Sequence, residues 1–306
     1  MSPFKMFITF AILAISHMAI TAPVEGVNSN SAYSSIVSRA DAPMPIVHNL
    51  TSQYLSTLVL EEVPPSLPAR PLQPRKMSET RIGGVDDRVE WYMHEYPYSA
   101  IGRLHVTSEV PFNKTNICSG SLVGPRHVMV ARHCVNSESL QVVRKATFAP
   151  NYFNGSRHGE SFVTNVIMPD RIDGGIYCYE SNDWAILVLA DRLGDKYGYL
   201  GAKAVDCNTQ THKPIFSHVG YPQDHGWGIP THQGKISITK CQECGIGSVR
   251  TDADGTQGQS GGPLFIMEDG LPWLYGVAST HYLTDNGFAT GTNLVKAIAQ
   301  ARKDYP

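Results

Sequence analysis

From Arg81 onward, short runs rich in β-branched and aromatic residues alternate with clusters of Gly, Pro, Asn and Asp, and this rhythm narrows the possible folds sharply. The runs cover residues 98–106, 117–123, 127–131, 162–168, 184–190, 215–220, 235–239, 263–267 and 272–279. Each is long enough for a strand and too short for a typical helix. Only Leu294, Val295, Ile298 and Ala301 recur at helical spacing, with Asn293 as candidate cap. Many strands and one terminal helix predict an all-β sandwich or barrel. There is no internal sequence repeat. Residues 82–306 are ample for two small barrels, with a boundary near 194–201, and a composition 42% hydrophobic can fill their cores.

The stretch before this region reads differently. Lys5 precedes an apolar run over residues 6–20, closed by the small residues Thr21 and Ala22, which is a signal-peptide layout. The run is too short for a membrane span, which needs about 20 residues. Residues 1–22 are therefore expected to be a signal peptide, and no later run is long enough to hold the chain in a membrane. Residues 23–81 carry Ser-rich and Pro-rich patches such as Val63-Pro-Pro-Ser-Leu-Pro68 and read as a propeptide, or as a linker without a processing role. The secretory route is oxidising, and six cysteines fit three disulfides there, although they allow 15 pairings. Sequons at Asn49, Asn113 and Asn154 agree with that route. A net charge of −2, with 17% charged residues, gives no basic field for nucleic acid or an anionic membrane. A soluble, secreted monomer acting on proteins or peptides is expected.

Three segments carry chemistry. In Gly258-Gln-Ser260-Gly-Gly-Pro263 a serine stands among residues small enough to let a carbonyl approach the backbone. The backbone N–H groups of Gly258 and Ser260 could then face a developing oxyanion. A serine needs a base. Among 12 histidines, His133 stands out, because a strand delivers it and Cys134 could be clamped to Cys118 on the strand before. The imidazole in turn needs a buried carboxylate behind it. Asp183 precedes the apolar run Trp184-Ala-Ile-Leu-Val-Leu-Ala190, whereas most other aspartates lie in polar turns.

Ala131-Arg-His133-Cys134, Asn182-Asp183-Trp-Ala-Ile-Leu187 and the Ser260 hexapeptide together resemble the three signature segments of trypsin-like serine proteases. Ile82-Gly-Gly-Val-Asp-Asp-Arg88 and Tyr96-Pro-Tyr-Ser-Ala-Ile101 look like the start of mature bacterial glutamyl endopeptidases and their fungal relatives. This resemblance implies a chymotrypsin-like fold of two six-stranded antiparallel barrels, 82–197 with His133 and Asp183, and 198–306 with Ser260. It implies a serine endopeptidase made as a zymogen and cut at Arg81-Ile82, working through an acyl enzyme without metal or organic cofactor. One departure matters: the family's aspartate before the nucleophile, which pairs with the new amino terminus, is here Gln259. The residue read before the cut stays open. Asp254, six residues before Ser260, would favour basic side chains, whereas Ser279, Thr280 and His281 after Gly276-Val277 would favour acidic ones.

Competing readings are weaker. Gly258-Gln-Ser260-Gly-Gly262 also fits the nucleophile elbow of esterases, but that fold places acid and histidine after the serine. Only 46 residues follow Ser260, with His281 their single histidine. Cys241-x-x-Cys244 with His133-Cys134 could bind zinc, although in a secreted chain disulfides are expected: Cys118 with Cys134, Cys178 with Cys207, and Cys241 with Cys244. A protease-like binding module without catalysis usually loses a member of the triad, and none is lost here.

Overall fold

Apolar residues on inward-facing strand positions force the strands to close on themselves, and they do so twice. A computed structural model describes residues 44–69, 80–81, 86–108, 115–136, 143–170, 176–241, 247–281 and 285–306. Residues 1–22, Asn113 and Cys244 lie outside them, as does the side chain of Cys178. In chain order the strands are β1 (Ile46–Leu50), β2 (Thr80–Arg81), β3 (Val89–Glu90), β4 (Ile101–Ser108), β5 (Thr115–Leu122) and β6 (His127–Val130). Next come β7 (Val143–Pro150), β8 (Ser161–Pro169), β9 (Ala185–Leu189), β10 (Gly201–Ala202), β11 (Phe216–Gly220) and β12 (Thr231–Ile236). The last are β13 (Ile238–Cys241), β14 (Ser248–Thr251), β15 (Pro263–Glu268), β16 (Leu271–His281) and β17 (Asn286–Thr290).

Strands β4, β5, β6, β9, β8 and β7 pair in that circular order and close the first barrel around Leu104, Leu122, Phe148, Val163 and Leu187. In the second, β12 and β13 act as one strand bent at Ser237. β12 pairs with β11 and β13 with β14, and β15, β16 and β17 complete the circuit around Phe216, Ile236, Leu264 and Phe288. The expected chymotrypsin-like pair of barrels is what the chain forms. Strands β7, β14 and β17 were not legible as runs, since Lys145, Arg250 and Gly287 interrupt them, and ladder pairing rather than propensity holds them.

The terminal helix Thr292–Asp304 buries Leu294, Val295, Ile298 and Ala301 as its spacing predicts. Its cap differs from expectation: Gly291 occupies that position and Asn293 lies inside the first turn. The helix packs on the first barrel, where Arg302 Nε donates to Val123 O at 2.5 Å and His127 Nε2 meets Ala301 O at 3.0 Å. The expected disulfides also change. Cys118 pairs with Cys134, but Cys207 pairs with Cys241, so the Cys178–Cys207 and Cys241–Cys244 pairings are corrected. The reason is packing: the turn after Cys207 docks beside β13, His212 N donating to Ile238 O at 2.8 Å, which brings the Cα atoms of Cys207 and Cys241 to 6.1 Å.

Within the stretch read as a propeptide, residues 44–69 are folded onto the first barrel. β1 adds to β8 in parallel, the helix Ser52–Thr57 is capped by the Thr51 hydroxyl, and Leu55 and Val63 are buried in the main core. Ser66 and Tyr199 exchange backbone bonds, and Lys303 pairs with Glu61. Pro-rich composition hid this, because the segment gains its order from the barrel surface rather than from its own periodicity. Leu55→Ala is expected to destabilise the protein by about 2–5 kcal/mol in denaturant titration. Because the first cysteine is Cys118, no disulfide ties this segment down. If the chain is cut after Arg81, the N-terminal fragment is expected to co-elute with 82–306 on native size exclusion and to separate in urea.

Candidate active site

The pairing of β6 with β9, Val130 opposite Ala185, brings the ends of two sequence-distant segments to one rim of the first barrel. His133 sits in the single turn Arg132–Cys134 after β6, and the disulfide to Cys118 on β5 anchors that turn. Asp183 lies just ahead of β9 and is buried. Its carboxylate accepts from the His133 backbone N–H at 2.8 Å and from His133 Nδ1 at 2.7 Å. A third donor is Ser279 Oγ on β16 of the other barrel, at 2.5 Å. Burial pulls the His133 imidazole down, but the Asp183 charge and hydrogen bond outweigh it and hold the pKa above its ordinary 6.5. An NMR titration is expected to place His133 above 6.5.

Ser260 and His133 line one cleft together with Ile117, Gln223, Trp227, Gln257 and Gly258. The loop before Ser260 is tied across the barrel interface. Ser119 on β5 donates its hydroxyl to Gly258 O and its N–H to Ser260 O, each at 2.8 Å, and its Oγ accepts from Tyr221 N at 2.8 Å. Among the described residues, the backbone N–H groups of Gly258 and Ser260 donate to no protein acceptor. Gly258 has φ +98°, and a Cβ there would stand 2.3 Å from Tyr221 O, so the position requires glycine. A hydroxyl, an imidazole backed by a carboxylate and two free N–H donors in one cleft are the equipment for acyl transfer.

The remaining predicted residues divide. Asp254 Oδ2 accepts from Asp87 N at 2.8 Å and Gln233 Nε2 at 3.2 Å. Ser279, expected at the specificity pocket, donates its hydroxyl to Asp183. Thr280 donates to Glu180 Oε1 at 2.8 Å, beside the buried Glu180–Arg250 ion pair. His281 lies against Gly255, where a Cβ would come within 2.4 Å of its Nδ1. Its Nδ1 bonds Asn286 Oδ1 at 3.0 Å, while its buried Nε2 has no partner among the described residues. Asn49 and Asn154 are exposed. Cys134 and Cys241, which a zinc reading needs as thiolates, are each joined in a disulfide.

Two residues at this site escaped sequence reasoning. Ser119, next to Cys118, connects the first barrel to the Ser260 loop; its place in Cys118-Ser-Gly-Ser was the only hint. Arg88 is buried and donates to Gln259 Oε1 at 2.9 Å, and nothing in Asp86-Asp87-Arg88 signals burial.

The trypsin family profile ("Trypsin") matches residues 89–298. The glutamyl endopeptidase of Bacillus licheniformis is 28% identical over 226 residues, covering 70% of this chain and 66% of that protein. Spermosin of Halocynthia roretzi is 26% identical over 240 residues, covering 68% of this chain and 58% of that protein. The venom serine protease Bi-VSP of Bombus ignitus is 28% identical over 192 residues, covering 53% and 51%. The chain thus spans from about half to just under two thirds of these relatives' lengths. In fold, a Glu endopeptidase structure in complex with MPD aligns at TM-score 0.59 and 21% identity, over 72% of this chain and 98% of that one. The protease Anisep from Arthrobacter nicotinovorans aligns at TM-score 0.52 and 20% identity, over 66% and 98%.

Proposed function

Because this chain belongs to the trypsin family, we propose that it is a secreted serine endopeptidase with His133, Asp183 and Ser260 as its catalytic triad. The observation that carries the reading is the buried Asp183 carboxylate, which accepts both the backbone N–H and the ring N–H of His133 beside the cleft holding Ser260. Neutral His133 takes the proton of Ser260 as its oxygen attacks a peptide carbonyl. The Gly258 and Ser260 N–H groups stabilise the oxyanion. His133 then gives the proton to the leaving amine, and water, deprotonated by the same imidazole, releases the acyl group. Since the base must be neutral, the rate rises with pH through a midpoint above 6.5. Residues 1–22 serve as the signal peptide, and the chain is a precursor cut at Arg81-Ile82. A fluorophosphonate tests the assignment: it should label Ser260 irreversibly and leave Ser260→Ala unlabelled. No labelling of the folded protein, cut or uncut, would favour a binding module.

For the side chain before the cut, an acidic residue fits better than a basic one. Asp254 Oδ2 is engaged by Asp87 and Gln233, whereas His281 Nε2 is buried and has no partner among the described residues. The name of the Bacillus relative points the same way. Burial lowers the His281 pKa, so a substrate carboxylate must bring a proton onto the ring. Profiling with a peptide library is expected to select Glu or Asp, with KM for such substrates rising as pH rises. Selection of Arg, Lys or large apolar residues overturns this preference.

A further inference from the structure

The loop carrying the oxyanion donors is held by a residue from outside both barrels. Arg88 is buried, and its guanidinium is gripped on two sides: Nη2 donates to Asp86 Oδ2 at 2.6 Å and to Asp224 Oδ2 at 2.5 Å, and Nε donates to Asp86 Oδ1 at 3.0 Å. The third side faces the loop, where Nη1 donates to Gln259 Oε1 at 2.9 Å. That same oxygen accepts from Thr256 N at 3.0 Å. An amide oxygen has two lone pairs, so both are taken. Gln259 is also bonded through its backbone, its N–H to Thr256 O at 3.2 Å and its carbonyl from Gly262 N at 2.9 Å. Gln259 stands directly between Gly258 and Ser260, so clamping it aims both N–H groups.

The Arg88 segment is itself docked in the uncut chain. β3 pairs with β12 and with β2, Trp91 N donates to Pro230 O at 2.8 Å, and Asp87 N donates to Asp254. Thr80–Arg81, on the far side of the expected cut, is thus part of the same ladder.

Resting on the serine endopeptidase reading, we propose that Arg88 is the positioning residue of the oxyanion loop, so that the loop is set in the uncut chain and needs no new amino terminus at Ile82. A neutral Gln259 has no charge with which to reward an arriving ammonium, and its carbonyl oxygen has no lone pair left for one. The permanent guanidinium of Arg88, itself paired with the Asp86 and Asp224 carboxylates, holds the loop in every form of the chain. Cleavage at Arg81 is then maturation without being the catalytic switch.

Two variants test this. Arg81→Gln blocks the cut; the intact chain, its length checked by mass spectrometry, should react with a fluorophosphonate and hydrolyse a peptide ester within about threefold of the cut wild type. Reaction by the cut chain alone overturns the proposal. Arg88→Met should lower kcat by roughly 10- to 100-fold, part of the 100- to 1000-fold that an oxyanion donor supplies, with KM changed less than about threefold. Arg88→Lys, which keeps one charged donor, should recover part of kcat, and the pH midpoint of His133 should not move. An unchanged kcat in a folded Arg88→Met overturns the proposal; should that variant not fold, the Arg81→Gln comparison decides. If wild type reacts in neither form, the endopeptidase reading itself falls, which is a different result from reaction only after the cut.

Discussion

Ser260→Ala is expected to lower kcat by roughly a millionfold, the cost of removing the nucleophile from a triad that acts as a unit. The change deletes one oxygen at the cleft and leaves the backbone bond from Ser119 N to Ser260 O in place, so the melting temperature should stay close to that of wild type. KM should move little, because the substrate's contacts with the rest of the cleft are unchanged. A residual rate of roughly 10³- to 10⁴-fold over water should remain from the oxyanion donors and binding. Steady-state kinetics on a peptide ester, with active-site titration to exclude contaminating wild type, measures this. Activity within tenfold of wild type would remove Ser260 from the mechanism.

Asp183→Asn is expected to cost roughly ten-thousandfold in kcat with the fold intact. The replacement is nearly isosteric, and its amide oxygen can keep the bond from the His133 backbone N–H. Its NH₂ group, however, then faces two donors, the Ser279 hydroxyl and His133 Nδ1. The hydroxyl can rotate and accept. The imidazole must present a bare Nδ1 and carry its proton on Nε2, where it can no longer take the proton of Ser260. Loss of the negative charge also removes what holds the imidazole pKa up. The His133 titration should therefore fall below its wild-type midpoint while kcat collapses. A drop smaller than about tenfold would mean that Asp183 serves only the barrel.

What could be read from the chain depended on whether local chemistry carried the signal. The strand runs at 117–123, 127–131 and 263–267 were legible because apolar β-formers end at turn residues. His133, Asp183 and Ser260 were singled out as candidates because each stands near the end or start of such a run in a distinctive pattern. By contrast, β17 was hidden: Asn286 and Gly287 are poor strand formers, and the strand exists because β14 and β16 flank it.

The chain alone determined the class of fold and singled out His133, Asp183 and Ser260 as candidates for catalysis, since alternation and motif chemistry are properties of neighbours in sequence. Only tertiary structure decided that Cys207 joins Cys241, that Leu55 and Val63 join the main core, that Ser279 donates to Asp183, and that Arg88 reaches Gln259. Each of these contacts joins residues brought together by barrel closure and docking. A hydrogen bond or disulfide of that kind leaves no periodic trace, because its energy depends on geometry that the whole fold creates.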